Sequence, residues 1–384
     1  MRPPEVGAGT TTGAGGRAAP LAAPAPSADH APGRSTAASG PADPFRLRIC
    51  VVGAGSFIAR ALRAEPACAH WRWIDHRQAL DWAAAVSAGT ASPDVTDATD
   101  ATATAPHHPL DTADVVLNCA FDPRLRQADD PQGVDIDACL ARALARRGPA
   151  AGGRPEGLGG GVGGGVGGGG GGGAAGPGHP PSADLPHYVM LSTRLVWGQA
   201  GPGEGTRRLD VARPAAPVGP YAAAKWRAEQ AVMAALPGRC TVLRLANIFG
   251  AEAADDLPGR RTFFAQALRS LREHGTIRLD ISPFVERDFL PVEPLAAWLA
   301  RIVPARRAGL WGLGSGQATP VGRIAQWLIE GHGRGRLEIS DLREHDGFVI
   351  DAQPLHTAFA LPRPADLQTL LAERCRTLGA GLAG

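Results

Sequence analysis

The sequence predicts an α/β protein built on a doubly wound parallel sheet, and three observations carry that expectation. Short apolar runs alternate with segments of helical period, the pattern of strands joined by crossover helices. The first run passes directly into a glycine turn and a helix, "VVGAGSFIARAL" (51–62). A second run, "WRWID", ends on Asp75, 22 residues after Gly53.

Taken in order, "RLRICVV" (46–52) is short, apolar and rich in β-branched residues, which suits a strand buried on both faces. In the turn that follows, Gly53 and Gly55 let backbone amides approach a phosphate at the N-terminus of the helix opened by Ser56, Phe57 and Ile58. Alone, such a turn serves either a dinucleotide or the chain reversal itself. The strand before it, the helix after it and Asp75 favour the dinucleotide. A carboxylate at Asp75 accepts from ribose hydroxyls and repels a 2′-phosphate, so NAD is expected, while His76 and Arg77 keep NADP open. "ADVVLNCA" (113–120) and "HYVMLST" (187–193) read as further strands, and "VDIDACLARALARR" (134–147) as a helix. Residues 220–236 form a helix closed by Pro237 and Gly238, "CTVLRLANIFG" (240–250) a strand, and "RTFFAQALRSLREHG" (261–275) a helix ending in glycine.

Composition limits the rest. The 384 residues include 51 glycines and 34 prolines, crowded into residues 1–44 and 148–184. Neither segment has the apolar content to offset the entropy of ordering, so both are expected to be disordered, the second as an insertion in a domain running from 45 to 384. Residues 1–44 have neither a signal-peptide core nor the bias of a transit peptide. A net charge of +2 argues against nucleic acid as a partner. No apolar run approaches the roughly 18 residues of a membrane span. The six cysteines form no C-x-x-C pair, so zinc sites and disulfides are not expected and a reducing cytoplasm is the simplest location. His107, His108 and Asp111 lie in a Thr/Ala/Pro-rich stretch without further ligand spacing, which reads as a solvated loop and not a metal site.

Lys225 is the only lysine among 39 basic residues, and it stands four residues after Tyr221, one of two tyrosines. Pro220 suits the first position of a helix, which sets Tyr221 and Lys225 on one helical face. A phenol titrates near 10 when unperturbed, too high for a base at neutral pH. A fixed ammonium and a cationic nicotinamide nearby would favour the phenolate. A lysine can also meet ribose hydroxyls as a compact point charge where the broad fork of arginine would not fit.

With "GAGSFIA", Asp75, "DVVLNCA", "STRLVWG" and "YAAAK" in this order, residues 46 to about 355 resemble the extended short-chain dehydrogenase/reductases. More narrowly, they resemble the NAD-dependent epimerase/dehydratase family that acts on nucleotide sugars. Further matches are "LRLANIFG" (243–250), "ERDFLPVEPLAAWLA" (286–300) and "GLWGLGSGQATPVGRIAQWL" (309–328). The resemblance implies a Rossmann-like sheet with a smaller substrate lobe from roughly 250 to 384. It implies Tyr221 as general acid/base, Lys225 as its partner and Thr193 as the residue that hydrogen-bonds the reacting hydroxyl. Asn118 and Ala120 would pass beneath the nicotinamide ribose, and Asp94 would lie near the adenine. Asn247 and Arg287 would bind the pyrophosphate of a nucleoside-diphosphate sugar, a surface ion pair being the plainer reading of Arg287. Trp197, in the place of a usual tyrosine, reads as core packing. A homodimer is implied too, with residues 220–236 supplying one of its helices.

Two departures shape the expected reaction. Ser56 and Ala59 replace frequent glycines, and both are small. Arg194 and Leu195 follow Thr193 where 4,6-dehydratases carry an Asp-Glu pair for elimination. Epimerisation or ketone reduction is therefore expected over water loss. The alternative is a catalytically silent NAD(P)-binding regulatory protein of the same fold. The Thr193, Tyr221 and Lys225 set favours the enzyme, because mere cofactor binding has no need of the phenol.

Overall fold

The computed structural model describes residues 47–90, 108–127, 132–147, 185–250, 263–362 and 366–382. The tail 1–44, the glycine-rich segment 148–184, Asp94 and His107 lie outside them. The described chain runs through β1 (Ile49–Val52), α1 (Phe57–Ala64), β2 (Arg72–Ile74), α2 (His76–Ala88), β3 (Val115–Asn118) and α3 (Ile136–Arg147). Next come β4 (His187–Thr193), β5 (Thr206–Leu209), α4 (Pro220–Ala235), β6 (Cys240–Leu245), β7 (Asn247–Phe249) and α5 (Phe263–His274). After these follow β8 (Thr276–Leu279), β9 (Glu286–Pro291), α6 (Val292–Ala305), β10 (Gly309–Leu313), β11 (Ala318–Pro320) and α7 (Val321–His332). The last are β12 (Arg336–Ile339), β13 (Gly347–Ile350), α8 (Gln353–Phe359) and α9 (Leu367–Ala380).

Six strands form one sheet in the order β10-β6-β4-β3-β1-β2, parallel throughout. Strands β1, β3, β4 and β6 are buried along their whole length, as parallel strands covered on both faces must be. One face packs α1 and α6 through Leu62, Leu295, Leu299 and Ile302. The other packs α2, α3 and α4 through Trp82, Leu140, Leu144 and Val232. Helices cover both faces, and the strand order reverses between β1 and β3. The crevice beyond the carboxyl ends of those strands is the usual ligand position of such sheets.

The helix expected from residue 134 starts at Ile136, because the Asp135 carboxylate accepts from the Ala138 amide (3.0 Å) and caps it. The single strand expected over 240–250 is two. At Ala246, whose amide donates to Leu313 O (2.9 Å), the chain leaves the first sheet, and β7 then pairs with β9. A second sheet follows, in the order β11-β9-β13-β5, with β8 and β12 as a separate pair.

This second sheet does not divide from the first at residue 250. It takes β5 from upstream, while α6 and β10 return to the first sheet. From Leu47 onward the chain is one contact unit. The second region has its own core, in which Phe249 stacks on Phe264 (4.2 Å) and Phe264 meets Phe289 edge-on (5.7 Å). Helices α7 and α9 cross there backbone to backbone. A Cβ on Gly331 or Gly379 would lie 2.0 or 2.1 Å from a carbonyl oxygen of the other helix, so glycine is required at both. Among the described residues no helix is long and apolar enough to cross a membrane.

Candidate active site

The glycine turn is built against β2 and β3. Gly53 has φ +83°, and a Cβ there would lie 2.8 Å from Ala120, so only glycine lets the turn settle on the segment after β3. The Gly53 and Ala54 amides donate to Ile74 O (2.9 and 3.1 Å). A Cβ on Gly55 would meet nothing within 4 Å, so open space lies before the N-terminus of α1. Ser56 caps that helix, its Oγ accepting from the Ala59 amide (3.3 Å), and Ala59 is fully buried. The two replaced glycines thus became a cap and a core residue. The side chains of Phe57 and Ile58 pack into the protein, which leaves the backbone of the turn to meet a ligand. Asp75 is exposed at the end of β2 and caps α2, one oxygen accepting from the Arg77 and Gln78 amides (2.7 and 2.9 Å). Those hydrogen bonds, Gln78 first, hold its carboxyl below the usual range. Its second oxygen makes no hydrogen bond among the described residues. The open cradle at Gly55 and this free carboxylate oxygen fit a dinucleotide.

Helix α4 carries Tyr221 and Lys225 one turn apart. Lys225 is 5 % exposed, and its Nζ donates to Leu191 O (2.9 Å) and to Asp137 Oδ2 (3.0 Å). The other Asp137 oxygen accepts from Asn118 Nδ2 and from the Tyr188 hydroxyl, both at 2.8 Å. Asn118 Oδ1 accepts in turn from the Ala120 amide (2.9 Å), which shapes the segment under the glycine turn. Burial alone would lower the pKa of the ammonium. Asp137, and after it Tyr221, outweigh burial, so it is raised. Burial, then Asp137, push the Tyr188 phenol well above its ordinary range, so it stays a donor.

Tyr221 is half-buried. Its ring meets Phe121 edge-on (4.9 Å) and lies under the Arg126 guanidinium (5.5 Å). Its hydroxyl makes no hydrogen bond among the described residues. Thr193 ends β4, registered against Leu245 of β6, and its Oγ1 accepts from the Leu195 amide (3.3 Å). The proton of that hydroxyl has no acceptor among the described residues. Asp137 went unread in the sequence, yet a signal was there: it falls with Ala141 and Leu144 on the buried stripe of its helix. An acid on such a stripe needs a partner.

Arg287 lies in β9, and the surface ion pair weighed for it is a part-buried one. Its Nε donates to Asp346 O (3.2 Å) and its Nη2 is 3.5 Å from Asp346 Oδ2. Burial pulls its pKa down, and Asp346 opposes this. Arg194, where dehydratases carry an acid, turns away from Thr193 into the second sheet. It grips the same carboxylate through both terminal nitrogens (2.5 and 2.6 Å) and stacks over Phe348 (4.1 Å). Asn247 registers with Phe289, two residues along β9 from Arg287. Trp197 is core, buried under the Arg244 guanidinium (4.8 Å). His108 and Asp111 do not form a solvated loop. His108 stacks on Trp82, and Asp111 accepts from the Trp82 indole (2.7 Å) and the His108 amide (3.0 Å). Among the described residues no group of His, Cys, Asp or Glu could hold a metal ion.

The architecture is a doubly wound, Rossmann-like α/β fold. Residues 181–311, about a third of the chain, match the model of the NAD dependent epimerase/dehydratase family, which bears out the resemblance carried by the motifs. The fold is similar to a UDP-glucose 4-epimerase from Thermus thermophilus in complex with NAD, with TM-score 0.59, 14% identity, and 88% of this chain and 99% of that one covered. It is similar to RMD from Pseudomonas aeruginosa complexed with NADPH (TM-score 0.58, 17% identity, 88% and 99% covered). It is also similar to MoeE5 in complex with UDP-glucose and NAD (TM-score 0.56, 17% identity, 85% and 97% covered). No curated protein matches the chain by sequence.

Proposed function

We infer that the protein is an NAD(P)-dependent enzyme of nucleotide sugars, an epimerase or a ketoreductase, with Tyr221 as its acid/base. The observation that carries this reading is the pairing on α4: a phenol with a free hydroxyl stands one turn from a buried, anchored ammonium. A binding fold without turnover has no use for that pair. A bound nicotinamide would supply the hydride acceptor and donor. The chain itself moves the proton. Tyr221 takes it from the sugar hydroxyl, or gives it to the ketone. Lys225 holds charge beside the phenol and has one ammonium proton, beyond those on Leu191 O and Asp137, to offer a ribose hydroxyl. Thr193 orients the reacting oxygen. Gly53, Gly55 and the first amides of α1, with Asn118 and Ala120 beneath, bind the dinucleotide, and Asp75 selects NAD. Arg287 and Asn247 bind the sugar's pyrophosphate, which places the reacting carbon without touching it.

Arg194 and Leu195 supply no carboxylate for elimination, which favours epimerisation or reduction over dehydration. Trp226 and Arg227 on the exposed side of α4 would serve a homodimer, and free cysteines suit the cytoplasm. Denaturing release of nucleotide from the purified protein, read by mass spectrometry, tests the cofactor. Thermal shift with UDP-, GDP-, dTDP- and CDP-sugars, each against its free sugar, tests the substrate class. Stabilisation by a nucleotide sugar in the presence of NAD is expected. Stabilisation by free sugars or simple alcohols alone would leave only a generic ketoreductase.

A further inference from the structure

Asp137 is a buried charge that the proton transfer does not use. It sits in the first turn of α3 between Ile136 and Ala138, 4 % exposed, where a carboxylate is costly unless paired and hydrogen-bonded. Its donors come from three elements of the site: Asn118 ends β3, Tyr188 lies in β4 and Lys225 in α4. One carboxylate therefore joins the segment beneath the glycine turn to the helix that carries the acid/base. The chain's only lysine and Tyr188, the first of its two tyrosines, meet on it.

We propose that Asp137 is the positioning residue of this site, fixing the Lys225 ammonium and the Asn118 amide in one arrangement and tempering the ammonium's field at Tyr221. The inference rests on Tyr221 and Lys225 being the acid/base pair. An ammonium balanced by a carboxylate draws a phenol toward its ionised form less than a bare one would. The other titratable or charged groups facing the pair are Asp135 of α3, Cys119 after β3, Tyr188 of β4 and Arg126, which stacks on Tyr221. Burial, then Asp137, push the Cys119 thiol up to about 12, and Tyr188 is pushed well above its usual range. Burial, the largest cause of both shifts, is kept in every variant.

Tyrosinate absorbance during a pH titration of the full chain, taken as the difference from Tyr221→Phe in the same background, reads Tyr221, and no substrate is needed. Tyr221→Phe should remove the transition. Asp137→Asn should lower its midpoint by about one pH unit, an effect passed on through the Lys225 ammonium that the carboxylate pairs with. Lys225→Met should raise it by a similar amount, and the double variant should return close to the original value. A merely structural Asp137 would change stability and leave these midpoints alone. Asp137→Asn leaves an ammonium buried without its counter-charge, and that variant can fail to fold. The comparison of Lys225→Met with the double variant then isolates the carboxylate. Equal midpoints in those two would overturn the proposal. Shifted midpoints in a protein that neither NAD nor nucleotide sugars stabilise would sink the functional reading and leave the charge coupling supported.

Discussion

Two buried carboxylates organise the two halves of the site, and they are loaded differently. Asp137, in the parallel-sheet region, receives one ammonium and two neutral donors, so its charges balance. Asp346, in the second sheet, is shared by the guanidiniums of Arg194 and Arg287, so those ion pairs hold two cations on one carboxylate, with exposed Asp280 the next acid acting on Arg287. A balanced, fully hydrogen-bonded pair is a finished structure, and it presets Lys225 before any ligand arrives. An unbalanced cluster is one that an anion completes. On the proposed reading, the nucleotide side of the site is built in advance, whereas Arg287, the cation proposed for the sugar nucleotide, is lent to a protein carboxylate.

The largest effect should come from the preset half. Tyr221→Phe removes the proton carrier and little packing, so turnover should fall by on the order of 10²- to 10⁴-fold or more while dinucleotide affinity holds. Lys225→Arg keeps the charge, but the space at Nζ is bounded by Leu191 O and Asp137, and a planar fork cannot reproduce both contacts with one donor to spare. Its rate and its dinucleotide affinity should fall together, by steady-state kinetics and NADH titration. A fully active Lys225→Arg protein would refute the assignment of the lysine.

The unbalanced half should show a smaller effect, confined to substrate. Arg287→Ala should weaken nucleotide-sugar binding by roughly 1–3 kcal/mol, the scale of hydrogen bonds to charged groups, with dinucleotide affinity unchanged. Asp346→Asn sharpens the comparison. It frees both guanidiniums, so the melting temperature of the unliganded protein should drop while the stabilisation conferred by a nucleotide sugar grows. If that stabilisation shrinks instead, the cluster only secures β13, and the contrast between the two halves fails.

The parallel sheet was legible because its signals are local: buried strands, a glycine turn, an acid at the end of β2, and Tyr221 with Lys225 on one helical turn. What was missed depends on contacts distant in sequence. Lys225 meets Asp137 across 88 residues, and Arg194 meets Asp346 across 152. The break at Ala246 was hidden because Leu245 and Asn247 sit in one apolar run that serves two sheets in turn. Arg194 read simply as the absence of a dehydratase acid. Its partner Asp346, at a φ of 60°, carried no sequence signal that could be tied to it.

The smallest expected effect concerns a buried titratable group with no ion-pair partner among the described residues. His187 begins β4, and its Nε2 is 2.8 Å from Thr241 Oγ1. That hydroxyl donates to Arg307 O (2.7 Å), so Nε2 must be the donor. Burial, then the charges of Arg306 and Arg239, pull its pKa down to about 3. In the unfolded chain the imidazole titrates near 6.5. Between those values the unfolded state binds the extra proton, so stability is complete above the unfolded value and falls as the pH drops toward the folded one, by about 1.4 kcal/mol per pH unit. His187→Gln keeps a donor to Thr241 and does not titrate. Urea unfolding at pH 7 and near pH 5.5 should show the original protein losing about 1 kcal/mol more than the variant, since the carboxylates they share cancel in the difference. Equal losses would mean that His187 takes up its proton as readily in the folded protein as in the unfolded chain, and that this region tolerates the unbalanced buried charge seen at Asp346.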